Sequence, residues 1–174
     1  GGTLLTFGQA TELPIEMFPL PVANAVSRNA FRAPGAVLRV KVDAANALAA
    51  GMPSDAYAFV DGGIAFESRS LKGAKSPKTE VHTLVSYVEK DLLASGWMTG
   101  ENAVKGKDAV TEVRLGEGRV LLFGIRPQFR GQTFGTFKLV LNALYLAGAE
   151  KRSANPGVPV SSPDHERDLG GFVR

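Results

Sequence analysis

Four consecutive apolar residues, Val120-Leu121-Leu122-Phe123, place the tightest limit on what this chain can fold into. Neighbours along an extended strand point to opposite faces, so this run buries both faces at once. It asks for an inner strand of a sheet that is covered on each side. Gly116-Glu117-Gly118 lies just before it, and residues 108–115 and 119–124 are predicted to form a β-hairpin about that turn. Further on, residues 135–147 carry Phe137, Val140, Leu141, Leu144 and Tyr145 at helical spacing. These five are predicted to line the contact of a helix laid on one face of the 120–123 strand. Leu141 is expected to be fully buried, with Lys138 and Asn142 off the stripe.

The amino-terminal part reads as short elements broken by glycine and proline. Residues 3–7 are a candidate buried strand, 9–18 a short helix or irregular turn stopped by Pro19 and Pro21, and 24–34 a polar loop. Residues 37–42 alternate, with Leu38, Val40 and Val42 on one face and Val37, Arg39 and Lys41 on the other. Residues 48–53 form one turn of helix closed by Gly51 and Pro53. Residues 56–60 and 64–67 are candidate strands around Asp61-Gly62-Gly63, 71–79 a flexible loop, and 81–88 another strand. Trp97 is expected to be a core or interface anchor. The elements predict one α/β domain over 1–148, with helices on both faces of a central sheet and a hairpin at its margin. Residues 149–174 read as a polar, proline-containing tail.

Composition narrows the chemistry. The 174 residues are 44% hydrophobic and 21% charged with a net charge of +3, which is a globular composition with no clustered basic face. A nucleic-acid partner is therefore not expected. No apolar run approaches the roughly 20 residues of a membrane-spanning helix, and no membrane partner is expected either. With no cysteine, disulfides, thiolate nucleophiles and cysteine metal sites are excluded. His82 and His165 are far apart and neither sits in an HExxH pattern, so no metal site and no cofactor are expected in this chain. No serine has the Gly-x-Ser-x-Gly setting of a nucleophile elbow. Gly116-Glu117-Gly118 leads into a strand, whereas a dinucleotide fingerprint needs a helix there. No catalytic residue is assigned, and the compartment stays open.

One segment asks for a role. Arg126, Gln128, Arg130 and Gln132 stand at alternate positions in the polar loop between the 120–123 strand and the helix. Ligand sites of α/β folds lie at such strand-to-helix loops, and two arginines with two glutamines suit an anion. The same residues also suit holding neighbouring loops through backbone carbonyls, or docking a neighbouring domain; the structural or docking role is the stronger expectation. The opening Gly1-Gly2 runs straight into a strand, so the chain is read as a piece of a longer polypeptide. An edge left unpaired at residues 3–7 is expected to favour self-association.

Several pieces, in order, carry a resemblance. They are Gly1-Gly2-Thr3-Leu4, Ile15-Glu16 with Leu20-Pro21-Val22, Leu38-Arg39-Val40-Lys41-Val42-Asp43, Leu48 with Gly51-Met52-Pro53, and Leu93 with Ser95-Gly96-Trp97. After them come Gly118-Arg119-Val120-Leu121-Leu122-Phe123-Gly124, Arg126-Pro127-Gln128-Phe129-Arg130-Gly131-Gln132, Gly135-Thr136-Phe137-Lys138-Leu139 and Asn142-Ala143-Leu144. Together, over about residues 1–146, they resemble the carboxy-terminal region of large bacterial zinc carboxypeptidase-like proteins, relatives of carboxypeptidase A. The resemblance implies a class I glutamine amidotransferase-like fold: a flavodoxin-like three-layer sandwich with a mostly parallel sheet, here incomplete. It implies a parent hydrolase of proteolysis whose zinc and catalytic glutamate sit in an upstream peptidase domain, the expected partner. The present chain would then be a non-catalytic accessory domain for docking or ligand binding. The alternative is a stand-alone ligand- or protein-binding module with that fold but no cysteine nucleophile. Relatives often carry a histidine between Thr133 and Gly135; this chain has Phe134, which weakens a catalytic role for the loop.

Overall fold

The computed structural model describes residues 1–69 and 79–153. Strand β1 (Thr3–Phe7) runs through a 3-10 turn into the short helix α1 (Glu12–Met17). Then follow β2 (Val22–Asn24), β3 (Pro34–Val42), a 3-10 turn at Ala47–Ala49, β4 (Asp55–Asp61) and β5 (Phe66–Ser68). Next come β6 (Thr79–Tyr87), β7 (Leu93–Ser95), β8 (Asp108–Leu115) and β9 (Gly118–Phe123). Two 3-10 turns, Phe129–Gly131 and Phe134–Thr136, lead into the long helix α2 (Phe137–Ser153).

The strands form one branched sheet with the main order β1-β9-β8-β6-β3-β4; β2, β5 and β7 join it from the side. Among the described residues only β1 and β9 pair in parallel, and every other pairing is antiparallel. The expected flavodoxin-like, amidotransferase-like sandwich with a mostly parallel sheet is therefore incorrect. The reason lies in the connections. Parallel neighbours need a crossover of about a dozen residues or more, usually a helix. Here β8 and β9 are joined by Gly116-Glu117 alone, and the connection from β3 to β4 holds a single 3-10 turn. Neither crossover helices nor helical layers on both faces arise from such links.

The double burial of the 120–123 run does hold, with other covers. Leu121 and Phe123 join the larger core, which includes Leu38, Val40, Leu84, Tyr87 and, from α2, Leu139 and Ala143. Val120 and Leu122 face a second core built by Ile15 of α1 with Leu20, Val22, Ile64 and Phe66. The 108–124 hairpin forms, with Leu115 opposite Gly118, but its strands lie inside the sheet between β1 and β6, not at the expected margin. Strand β3 buries Ala36, Leu38, Val40 and Val42 and turns Lys41 outward. The chain turns at Asp61-Gly62-Gly63, but the flanking strands take different neighbours, β4 against β3 and β5 against β2 and β8. The loop expected at 71–79 falls almost wholly outside the described residues.

Helix α2 is present but rotated from its expected orientation. Leu139 and Ala143 are buried, with Val140 and Leu146 packed beside them. Leu141, Leu144 and Tyr145 are exposed at 61%, 59% and 77%. The polar residues set this rotation. The Asn142 side-chain amide donates to the Leu48 and Ala50 carbonyls at 3.0 and 3.1 Å, and Lys138 Nζ donates to the Gly51 carbonyl. Residues that looked solvent-facing are tied to the 3-10 turn at 47–49, and half of the apolar stripe is turned to water. Trp97 is likewise half exposed, so it is not a core anchor.

The two ends of the sheet differ. At one end β4 is flanked by the 126–133 loop. At the other, β1 has β9 as its only strand neighbour among the described residues.

Candidate functional site

The 126–133 loop is built onto the outer edge of β4. Gly124 lets the chain leave β9 in a crowded place, because a Cβ there would stand 2.6 Å from the Ile64 carbonyl oxygen. Ile125 is buried, and the Arg126 backbone N–H then donates to the Phe59 carbonyl at 2.9 Å. Two β4 residues further back, the Tyr57 carbonyl accepts from the Thr133 hydroxyl at 2.6 Å. Edge carbonyls that would otherwise invite another strand are satisfied by the chain's own loop. Thr136 closes the loop from below, its fully buried Oγ1 lying 2.8 Å from the Pro127 carbonyl.

Side chains reinforce that contact. Phe129 stacks on Phe59 with centroids 5.0 Å apart and planes at 11°. The Arg126 and Arg130 guanidinium carbons lie 5.6 and 5.3 Å from the Phe129 ring centroid, within the range of cation–π attraction. Arg126 also meets the Asp61 carboxylate at 3.1 Å. Arg130 adopts a left-handed backbone, φ 48° and ψ 34°, which turns the chain back on itself. Of the four candidate residues, then, Arg126 and Arg130 gather on one aromatic ring. Gln128 and Gln132 are exposed side chains, and Gln132 enters the loop's bonding through its backbone N–H, which donates to the Phe129 carbonyl at 2.8 Å. Both arginines are exposed.

Beside this loop the surface is apolar. Phe134 is 78% exposed and touches the Phe137 ring at 5.8 Å; Leu141, Leu144 and Tyr145 continue from it along the outer face of α2. The sequence marked these helix positions as apolar but put them in the core. A basic, aromatic loop thus lies next to four large exposed apolar side chains.

Two other features were not anticipated. A broad groove of about 990 Å³ runs over the outer face of β3 and β4, lined by Arg39, Lys41, Asp55, Tyr57, Lys90 and Lys105, among others. Most of its charges are already engaged. Arg39 donates to the Asp91 and Leu93 carbonyls at 2.7 and 2.6 Å, Lys105 meets Glu101 at 2.6 Å, and Lys41 pairs with Asp55, holding that carboxyl below its ordinary pKa. The second feature is a fully buried carboxylate, Glu112, whose Oε1 lies 2.6 Å from Arg119 Nε and 3.2 Å from Arg114 Nε. Hairpin register could have found it. With Leu115 opposite Gly118, Arg119 comes diagonally beside Glu112 on one sheet face.

Among the described residues no group of three or more His, Cys, Asp or Glu side chains is arranged to hold a metal ion. His82 Nε2 stands 3.8 Å from Glu80 Oε2 on the surface, and His165 lies outside the described residues. A scan against protein-family models finds no match, and a search of curated proteins finds none either.

Proposed function

We propose that this chain is a non-catalytic docking domain of a larger zinc metallocarboxypeptidase-like hydrolase, an agent of proteolysis whose zinc and catalytic glutamate belong to a separate peptidase domain. The resemblance names the neighbour; the exposed stripe of Phe134, Leu141, Leu144 and Tyr145 beside Arg126 and Arg130 supplies the surface. That stripe is the observation that carries the proposal. Exposed large apolar side chains gathered on one helix face mark interaction surfaces, and arginine with aromatic residues is enriched in them.

The pieces that carry the resemblance support it in a second way, because they touch one another. Thr3 and Leu4 pair with Arg119 and Val120; Leu38 pairs with Leu93; Lys138 and Asn142 bind the carbonyls of Leu48, Ala50 and Gly51. Gly96, at φ 92°, has room for no side chain, since a Cβ would lie 2.8 Å from the Gly35 carbonyl oxygen. Residues whose shared property is mutual packing describe a scaffold. The implied amidotransferase-like fold is not part of this proposal.

The test is binding in trans. The peptidase domain encoded with this chain is expected to bind the purified 174-residue chain, and Leu141→Glu with Tyr145→Glu is expected to abolish that binding while the far-ultraviolet spectrum and melting temperature stay as in the parent. Undiminished binding by the double variant would overturn the docking surface.

A further inference from the structure

The two sheet edges are managed in opposite ways. The edge of β4 is covered by the 126–133 loop and carries Asp55 and Asp61 at its ends. Among the described residues the edge of β1 pairs with no further strand, and it carries no charged residue from Thr3 to Phe7, no proline, and a register with β9 that runs unbroken from Thr3 opposite Arg119 to Phe7 opposite Phe123. Beside it on one face lies an apolar pocket of about 320 Å³ lined by Leu4, Phe18, Leu115 and Val120, among others. Leu13 and Met17 of α1 are also exposed.

The phase of the β1 hydrogen bonds follows from one contact. The Arg119 N–H donates to the Gly2 carbonyl at 2.8 Å, so in a parallel ladder Gly2, Leu4 and Thr6 face β9. The N–H and C=O groups of Thr3, Leu5 and Phe7 then point away from the sheet. These three positions are symmetric about Leu5. A second β1 laid antiparallel, with a two-fold axis at Leu5, exchanges both bonds between Leu5 and Leu5 and both between each Thr3 and Phe7. Every outward group of the strand finds its complement in the same strand of a second copy.

We propose that β1 is a homodimerisation edge, two copies joining their sheets through an antiparallel β1–β1 pair centred on Leu5. Charge favours a second copy as the occupant. Pairing like with like brings any charge on the strand close to its own image, and residues 1–11 contain no charged side chain. Isologous contacts need such self-complementarity, and this strand has it in hydrogen bonds as well as in charge. The proposal does not depend on the parent hydrolase.

The experiment is sedimentation equilibrium of the 174-residue chain from low to several hundred micromolar. A concentration-dependent dimer is expected. Thr3→Pro removes an outward donor without touching the ladder to β9, and is expected to weaken the dimer by roughly 10- to 100-fold. Leu5→Lys and Leu5→Glu, each checked for an unchanged circular dichroism spectrum, are expected to be monomers alone and to form a mixed dimer when combined, because the axis places them face to face. A wild-type chain that stays monomeric throughout overturns the proposal. So does a dimer that Thr3→Pro leaves unchanged, or a mixture of folded Leu5→Lys and Leu5→Glu chains that fails to associate.

Discussion

Phe129 lies flat on Phe59, ring centroids 5.0 Å apart, and so fixes the loop after β9 against the edge of β4. The stack makes the loop part of the scaffold, with the arginines displayed from it. Phe129→Ala is expected to cost about 1–2 kcal/mol, from the aromatic pair and the half-buried ring. Arg126→Ala is expected to cost less than about 1 kcal/mol, because its ion pair with Asp61 is solvent-exposed. Urea denaturation of both variants checks the order; a costlier Arg126→Ala would mean that the ion pair, not the stack, holds the loop.

The rotation of α2 is tested by two leucines one turn-half apart. Leu139 is buried at 1% exposure, and Leu139→Ala is expected to cost about 2–5 kcal/mol. Leu141 is 61% exposed, and Leu141→Ala is expected to stay within about 0.5 kcal/mol of the parent. Equal losses in chemical denaturation would show that the helix presents both sides to the core.

These two leucines also show what could be read from the sequence. The 120–123 run, the hairpin it closes and the alternation of β3 follow from local periodicity; the hairpin forms, but inside the sheet between β1 and β6 and not at its margin. The face of α2 does not follow, because Leu139, Ala143 and Leu146 form an apolar stripe as plausible as Phe137, Leu141 and Leu144. The choice is made by the Leu48, Ala50 and Gly51 carbonyls, far away in sequence, which accept from Asn142 and Lys138. Strand direction is decided the same way. A strand apolar on both faces suits an inner parallel strand and equally an antiparallel one between two cores, and only the short links tell them apart. In the loop, the basic residues were visible but their partners, Phe59 and Asp61, lie more than sixty residues upstream.

The buried Glu112–Arg119 pair gives a third test. Removing Arg119 leaves the buried Glu112 carboxylate with only the half-exposed Arg114, so Arg119→Met alone is expected to destabilise by about 2–4 kcal/mol. Adding Glu112→Leu is expected to recover most of that loss, since an apolar pair of similar volume needs no desolvated charges. A double variant as unstable as the single one in thermal and urea unfolding would contradict this.

Asp108 sets a pH dependence. Burial raises its carboxyl pKa in the fold, against the nearby hydroxyls of Thr83 and Thr111 and the charge of Lys107. A carboxyl raised in the native state binds its proton more readily there than in the unfolded chain. Its contribution to stability is therefore full below the ordinary carboxylate pKa and is lost as pH rises through the raised value. Asp108→Asn is expected to flatten the stability profile across that window, measured by denaturation at pH 4 to 7. A variant whose profile falls with rising pH as steeply as the parent's would assign the effect elsewhere.

Whether the chain is catalytic is measured on the chain by itself. Purified from zinc-supplemented medium, it is assayed for bound metal and for release of carboxy-terminal residues from blocked peptides, beside the longer protein proposed to carry the peptidase domain. Chelator-sensitive hydrolysis and stoichiometric zinc are expected in the longer protein, and neither in the 174-residue chain. Tightly bound stoichiometric zinc with chelator-sensitive peptidase activity in the isolated chain would contradict a non-catalytic role.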